Sequence, residues 1–235
     1  MQALRVRING DVTSFRYPHF VQGVHLTYEM PPPATIYGHV CSAVGEPIPP
    51  ESLRFAYHFT HAGKFFDYEH LHFYGKNKHV MNPFRRELLF RPRLTLYLDV
   101  LRSDIIRLDE LADCFMHPYY AAVLGRSQDL MIFEAIDIVE LVESERGFYN
   151  GTLLNLDDAA RIGGRFFAVT MPRFIDEERR PQWAQYAVLP DSEKPPVSDH
   201  ALQMEGQKQT LWSDPDAPYV LDESLKRVVV WHEWV

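Results

Sequence analysis

Hydrophobic and polar residues alternate along several short stretches of the chain, and this alternation predicts strands. Leu4, Val6 and Ile8 alternate with arginine and asparagine, which is the pattern of a half-buried strand. The segments SLRFAYHFT, at 52–60, and RLTLYLDV, at 93–100, alternate in the same way and are rich in β-branched and aromatic residues. We therefore predict three strands in the first hundred residues.

Two segments have apolar residues at helical spacing. Three consecutive prolines at 31–33 hold the backbone extended, so a first helix begins where they stop and ends at Gly45. A second helix is predicted to begin at Ser103 or Asp104 and to stop before Pro118. Both helices connect predicted strands.

The order of the elements predicts the fold class. Residues 61–87 keep strand-forming residues but are interrupted by glycine, asparagine and proline, which predicts a long hairpin. The segment at 129–143 favours a strand, although its acidic residues at spacing three would also suit a helix face. We predict an α+β fold: a ferredoxin-like, RRM-like βαββαβ domain at 1–145, a protruding hairpin around 63–92, and a smaller β-rich region at 146–235.

Composition narrows the class of protein. The 235 residues are 46% hydrophobic, which is enough for a core, and the net charge of −8 argues against a protein that coats nucleic acid non-specifically. The two cysteines lack metal-ligand spacing, and we expect them to be buried thiols in a reducing compartment. No run is long enough to span a membrane, and the first ten residues are too charged for a signal peptide. The expected location is the cytoplasm.

Positive charge is nevertheless concentrated between residues 64 and 93, where basic and aromatic side chains are interleaved. Cations that bind phosphates beside rings that stack on bases are typical of proteins that bind single-stranded RNA. A hairpin with a solvated basic face and core aromatic residues would give the same pattern. The basic residues concerned are Lys76, Lys78, His79, Arg85, Arg86, Arg91 and Arg93, and all of these except Arg93 are candidate RNA-binding residues.

A second candidate is the turn that follows the second predicted helix. Its residues Gly125, Arg126, Ser127 and Gln128 could present backbone N–H groups, a hydroxyl and a guanidinium to one phosphate, although an ordinary solvated turn has the same composition. Spaced histidines elsewhere lack a second cluster of ligands, and the common nucleotide, hydrolase and zinc-protease motifs are absent. We therefore predict no metal site, no cofactor and no catalytic residue.

Three segments together resemble the Cas-five family of CRISPR-associated proteins. They are SFRYPHFVQGVHLTYEMPPPATIYGHVCSAVGE at 14–46, HPYYAAVLGRSQDL at 117–130 and GGRFFAVTMPRF at 163–174. The specific pieces are the Pro-Pro-x-[ST]-x-x-Gly entry to the first helix and the Leu-Gly-Arg-Ser turn at 124–127. Their order and separation also match, and the two pieces look most like the type I-B branch. The resemblance covers the N-terminal two thirds well and the last 70 residues poorly.

This resemblance implies a non-catalytic subunit of a type I Cascade surveillance complex, in antiviral defence or RNA-guided DNA targeting. Such a subunit binds and caps the 5′ handle of CRISPR RNA, and its hairpin thumb contacts the backbone subunit. The implied partners are CRISPR RNA, the backbone subunit and the large subunit, with target DNA met only through the complex. Residue by residue, the resemblance carries over Thr35, Tyr37, Arg126 and Ser127. Arg16 is added from its place after the first strand.

Two alternatives belong to other classes. One branch of the same family is a metal-independent endoribonuclease that processes CRISPR repeat RNA with a tyrosine near the end of the first helix and a Lys-His pair. Here the end of that helix lacks a tyrosine, and the pair Lys78-His79 lies in the predicted thumb. An unrelated small-molecule enzyme on a ferredoxin-like sheet is the other alternative, because a fold does not determine a function.

Overall fold

The computed structural model describes residues 1–19, 23–76, 78–198, 202–204, 207–217, 220–222 and 225–235. Within them the helices are α1 (Pro33–Val44), α2 (Leu108–Met116) and α3 (Leu156–Ile162). The strands are β1 (Gln2–Gly10), β2 (Val12–Thr13), β3 (Val24–His25), β4 (Leu53–Thr60), β5 (Gly63–Gly75), β6 (Lys78–Phe90), β7 (Arg93–Val100), β8 (Met131–Glu140), β9 (Val142–Glu143), β10 (Gly147–Phe148), β11 (Thr152–Asn155), β12 (Phe167–Ile175), β13 (Pro181–Leu189), β14 (Val197–Ser198), β15 (Leu202–Met204), β16 (Gln207–Gln209), β17 (Trp212–Ser213), β18 (Val220–Asp222) and β19 (Leu225–Val229). The α+β class predicted from the sequence is confirmed, and strands predominate.

A seven-stranded antiparallel sheet forms the centre of the molecule. Its strand order is β12-β13-β11-β4-β7-β1-β8, and Val6 of β1 lies between Leu96 of β7 and Ile136 of β8. Helix α1 comes between β1 and β4 in the chain, and α2 comes between β7 and β8. The predicted strand at 129–143 is thus mainly β8, and not a helix.

Both faces of this sheet are covered. On one face, Leu4, Val6 and Ile8 pack in the same core as Ile36 of α1 and Phe115 of α2. On the other face, β19 and the residues after it pack against β1, β4, β7 and β8. Two covered faces explain why the sheet is so apolar.

The polar face predicted for β1 is therefore not in solvent. Arg5 is buried, and its Nη1 lies 2.7 Å from Oδ2 of the buried Asp214. The hydroxyl of Tyr97 donates to the same oxygen at 2.9 Å. The strand is observed, but the prediction that its polar face is exposed was wrong at Arg5, because the chain after residue 210 supplies a partner for this arginine that no local pattern reveals.

The long hairpin predicted at 61–87 is formed by β5 and β6. The two strands pair over thirteen positions, from Gly63 opposite Phe90 to Gly75 opposite Lys78. Near its base, β6 also pairs with β2 and β3. Those extra strands fix one end of the hairpin to the molecule.

Two helices differ from the sequence prediction. Helix α2 begins at Leu108 because the Glu110 carboxylate accepts the backbone N–H of Arg107 at 3.0 Å, which caps the helix there. Helix α3 was not predicted, although acidic residues in its first turn and Gly163 after its end are the usual signals. It is only seven residues long, so these signals were easy to miss.

The C-terminal region contributes to the same sheet as the N-terminal one. Strands β11, β12 and β13 extend it beyond β4, and Phe55 forms a bridge with His232. The division into domains at residue 145 stays a prediction, with one sheet crossing it. In the part of the chain that is described, no helix has the length and apolar character needed to cross a membrane.

Candidate functional site

The hairpin has two faces of different chemistry, because paired residues on its strands share a face and successive residues alternate. Glu69 lies opposite Phe84, and both face the body, where the Phe84 ring centroid is 4.4 Å from that of His25. Tyr68 lies opposite Arg85, and Tyr74 lies opposite His79, on the outer face. We call these the inner and outer faces.

The outer face carries a row of flat rings with nearly parallel planes. The ring of Tyr74 lies 4.7 Å from that of His79, and His72 lies 5.1 Å from His79, with 14° between the planes in both cases. Tyr74 is 81% exposed and Tyr68 67% exposed. Exposed, parallel rings of this kind can stack on bases.

Cations accompany these rings. The guanidinium of Arg85 lies 4.2 Å from the ring centroid of Phe66, and the side chains of Lys76 and Lys78 are exposed at the end of the hairpin. None of these three cations forms an ion pair with a described residue. The outer face is therefore aromatic and carries the charge of Arg85, and the charges of Lys76 and Lys78 lie at the end of the hairpin.

The two nitrogens that join His72 and His79 restrict the charge of the pair. Nδ1 of His72 lies 2.9 Å from Nε2 of His79. One nitrogen donates and the other accepts, so at least one ring is neutral when this contact forms. The Lys78-His79 pair thus has one member already engaged by another histidine.

Where the inner face meets the body, by contrast, the predicted cations are paired. Nε of Arg86 lies 2.8 Å from Oε1 of Glu69, and Nη1 of Arg126 donates to the same oxygen at 2.5 Å. The Arg126 guanidinium also donates to both oxygens of Asp129, with the shortest contact, from Nη2 to Oδ1, at 2.6 Å. Two acidic and two basic side chains therefore join the hairpin to the turn.

The turn at 124–129 is arranged around the Asp129 carboxylate. Oδ2 of this buried group accepts the Ser14 and Arg126 backbone N–H groups, at 3.2 Å and 2.8 Å, and the Thr13 hydroxyl at 3.1 Å. Of the N–H groups that were expected to bind a phosphate, that of Arg126 thus binds an internal carboxylate. Burial alone would lower the pKa of Arg126, but Asp129 and Glu69 raise it above its usual value.

Close packing explains the glycine of the same turn. A Cβ atom at Gly125 would lie 2.6 Å from the carbonyl oxygen of Ser14, so a larger residue does not fit. Ser127 is exposed beside it. We call the cluster of Glu69, Arg86, Arg126 and Asp129 the turn network.

The predicted residues at the start of α1 are engaged in packing. The Tyr37 hydroxyl donates to the Ile48 carbonyl at 2.6 Å, and its ring packs edge-on against Phe174 and Trp234. Burial raises the pKa of Tyr37. Thr35 is partly buried, and its backbone N–H donates to the carbonyl of Pro32.

The remaining predicted residues lie apart from the turn network. Arg16 is exposed and forms a bridge with Thr27, and Arg91 is exposed at the base of the hairpin with its guanidinium 5.2 Å from the Phe90 ring centroid. Sequence reasoning missed the two carboxylates of the network. Asp129, three residues after Arg126, was the available signal. Within the described ranges, no group of three or more His, Cys, Asp or Glu side chains is placed to hold a metal ion.

Comparisons with solved structures give similar folds. A chain of a CRISPR RNA-guided surveillance complex is 16% identical, with a TM-score of 0.55, and the match covers 83% of this chain and 90% of that chain. A CRISPR protein from Archaeoglobus fulgidus is 11% identical, with a TM-score of 0.45 and coverage of 91% and 100%. A chain of the type III-B Cmr-beta bound to cognate target RNA and AMPPnP is 10% identical, with a TM-score of 0.46 and coverage of 79% and 84%. The first of these similarities shows that the folds are shared.

No protein-family model matches the sequence, and no curated protein matches it either.

Proposed function

We propose that this chain is a non-catalytic subunit of a CRISPR RNA-guided effector complex of the Cas-five type, and that it holds the 5′ handle of the CRISPR RNA. Its fold is that of a chain in a CRISPR RNA-guided surveillance complex. The strand order β4-β7-β1-β8, with α1 and α2 as connections, is the arrangement expected of a ferredoxin-like domain. Both observations support a CRISPR effector-complex subunit, and the assignment to the type I-B branch rests on the sequence resemblance alone.

The observation that carries the proposal is the outer face of the hairpin. Its exposed rings and the unpaired Arg85, with Lys76 and Lys78 at the end of the hairpin, are the two kinds of group that bind single-stranded RNA. The rest of the chain is acidic enough to give a net charge of −8. Affinity for RNA is thus concentrated in one local surface, and other surfaces are free to contact the backbone and large subunits.

RNA is not expected on the central sheet. In many RNA-binding domains with this strand order the face opposite the helices carries the stacking aromatic residues. Here the equivalent face packs against β19 and the residues after it, including Trp231, which is 3% exposed. The hairpin therefore takes the place of the sheet face.

The experiment is a titration of labelled repeat RNA, which includes the handle, and of a scrambled RNA with the purified chain, alone and with its backbone subunit. We expect a handle-dependent shift and no cleavage product. Arg85→Gln combined with Tyr74→Ala should weaken binding at least tenfold, since it removes one cation and one stacking ring. Arg102→Gln, at an exposed arginine paired with Asp104, is the control and should bind as the original chain does.

The same titration tests the endoribonuclease alternative. A discrete product that disappears with His79→Ala while binding persists would replace the proposal with a repeat-processing enzyme. Equal binding of scrambled and repeat RNA would contradict handle recognition. A lack of any binding, even with the backbone subunit, would contradict the proposal as a whole.

A further inference from the structure

A cleft of about 460 Å³ lies at the base of the hairpin, where β4 and β6 end and β7 begins. Its walls include Thr60, His61, Arg91, Arg93, Asp191 and Arg227. Of these three arginines, only Arg91 is among the RNA-binding residues predicted from the sequence. The cleft is separate from the turn network and from the rings on the outer face of the hairpin.

Positive charge dominates this cleft. Arg91 and Arg93 lie in the cleft with one carboxylate, Asp191, so the formal charge of these three groups is two minus one, or +1, in a chain whose net charge is −8. Arg91 and Arg93 are exposed, and neither forms an ion pair with a described residue. Two guanidinium groups without a carboxylate partner are suited to bind a phosphate.

A second histidine of the cleft, His58, adds no charge to it. His58 is buried, and Nε2 lies 2.9 Å from the Val228 carbonyl oxygen. Burial first and the charge of Arg227 second lower the pKa of His58 well below its usual value. The buried ring of His58 therefore contributes no positive charge to the cleft.

A second, more apolar cleft of about 270 Å³ adjoins the first and shares Thr60, His61 and Asp191 with it. Phe59 and Phe167 are among its lining residues, and the Phe167 side chain is 57% exposed. A large exposed ring beside a basic cleft offers a stacking surface next to a phosphate site. The pair of clefts matches the two parts of a nucleotide.

We propose that the two clefts together bind one nucleotide of single-stranded RNA, with its phosphodiester against Arg91 and Arg93 and its base against Phe167. This inference rests on the proposed function and extends it from the outer face of the hairpin to the hairpin base. The RNA then leaves the hairpin beside β4 and β7, on the side of the sheet where β19 packs.

The test measures the affinity of the chain, in complex with its backbone subunit, for a fluorescein-labelled handle RNA at several salt concentrations. Arg93→Gln should weaken binding about tenfold and reduce the slope of log affinity against log salt by about 0.7, because one phosphate contact is lost. Phe167→Ala should weaken binding by a similar factor and leave the slope unchanged, because stacking releases no counterion. Arg102→Gln is the matched control for the loss of one charge, and melting temperatures check that each variant is folded.

The outcomes separate this inference from the proposed function. If the original complex binds RNA and all three variants bind equally well, the nucleotide cleft is wrong and the proposed function stands. If Arg93→Gln weakens binding but does not change the salt slope, its effect is not a phosphate contact and the cleft is again overturned. If the original complex binds no RNA, both fail. Handle RNA with a 5′-hydroxyl should bind as well as handle RNA with a 5′-phosphate, and a tenfold preference for the 5′-phosphate would overturn the assignment to a phosphodiester.

Discussion

Two regions of the molecule, the turn network and the cleft at the hairpin base, contain arginines, and they differ in what surrounds those arginines. In the turn network, Arg86 and Arg126 share the Glu69 carboxylate, and Arg126 also binds Asp129. In the cleft, Arg91 and Arg93 have no such partner among the described residues. A basic residue in a recognisable motif can thus be fully engaged inside the protein, while a less conspicuous one is available to bind a phosphate.

The largest expected effect comes from breaking the turn network. Arg126→Met leaves the buried Asp129 carboxylate without its guanidinium, and loss of one partner of a buried ion pair costs about 3–5 kcal/mol. Arg93→Met, at an exposed arginine, should change the free energy of unfolding by no more than about 0.5 kcal/mol. Urea denaturation of the three proteins measures both values.

Equal destabilisation by Arg126→Met and Arg93→Met would contradict the contrast between the turn network and the cleft. A small effect of Arg126→Met would mean that the other donors to Asp129 suffice to hold the buried carboxylate. A large effect of Arg93→Met would mean that this arginine has an internal role.

The histidines show the same contrast between the body and the hairpin. His39, His58 and His232 are buried, and Nε2 of each lies within 3.1 Å of a backbone carbonyl oxygen. Burial lowers the pKa of His232 from 6.5 to about 4. His70, in contrast, is exposed on the hairpin.

The sign of the resulting pH dependence follows from linkage. Between pH 6.5 and 4 the unfolded chain binds more protons than the folded one, so stability is present above pH 6.5 and is lost as the pH falls. The contribution of His232 to this loss is at most about 3 kcal/mol. His232→Gln should remove this part, because glutamine does not ionise and its amide can donate to the same Leu153 carbonyl.

Urea denaturation at pH 7.5, 6 and 5 checks the prediction. His70→Gln, on the hairpin, is the control and should keep the pH dependence of the original chain. Parallel pH profiles for the chain and His232→Gln would show that His232 is not the group responsible. The Glu29 carboxylate, whose pKa is lowered to about 2 by His61 and Lys64, loses its contribution only at lower pH, between 4.5 and 2.

Local patterns were sufficient to predict the strands and helices that have regular hydrophobic spacing or clear chain breaks. The alternation at 52–60 and 93–100, the prolines before α1 and the breaks within 61–87 each correspond to an observed element. The burial of Arg5 was not predictable, since its partner Asp214 lies more than two hundred positions away in the chain. Pairing of that kind depends on topology and not on local composition.

In the candidate site, too, local features could be predicted and long-range contacts could not. Exposed rings and cations on the hairpin could be expected from the interleaved residues at 64–93, and their alternation separates the outer from the inner face. The pairing of Arg126 with Glu69 could not be expected, because Glu69 is far from Arg126 in the sequence. The nucleotide cleft also joins residues from distant segments, so its arginines had no shared motif.

The smallest expected effect concerns the link between the turn network and the hairpin. Glu69→Gln removes the charge that Arg86 and Arg126 share, and a partly exposed pair of this kind is worth about 1 kcal/mol. Since Asp129 still holds Arg126, the body of the protein should remain stable. The loss should appear as local opening of the hairpin, and 1 kcal/mol corresponds to about fivefold faster amide exchange.

Hydrogen–deuterium exchange of peptides covering β5 measures this opening, with Glu134→Gln, at an exposed acid on β8, as the matched control. Faster exchange in β5 alone means that the network fixes the hairpin, and RNA affinity should then fall modestly while its salt dependence is unchanged. Faster exchange throughout the sheet would instead make Glu69 part of the core. Unchanged exchange would mean that β2 and β3 hold the hairpin base without help from the network, and the contrast between the two arginine regions would then rest on Asp129 alone.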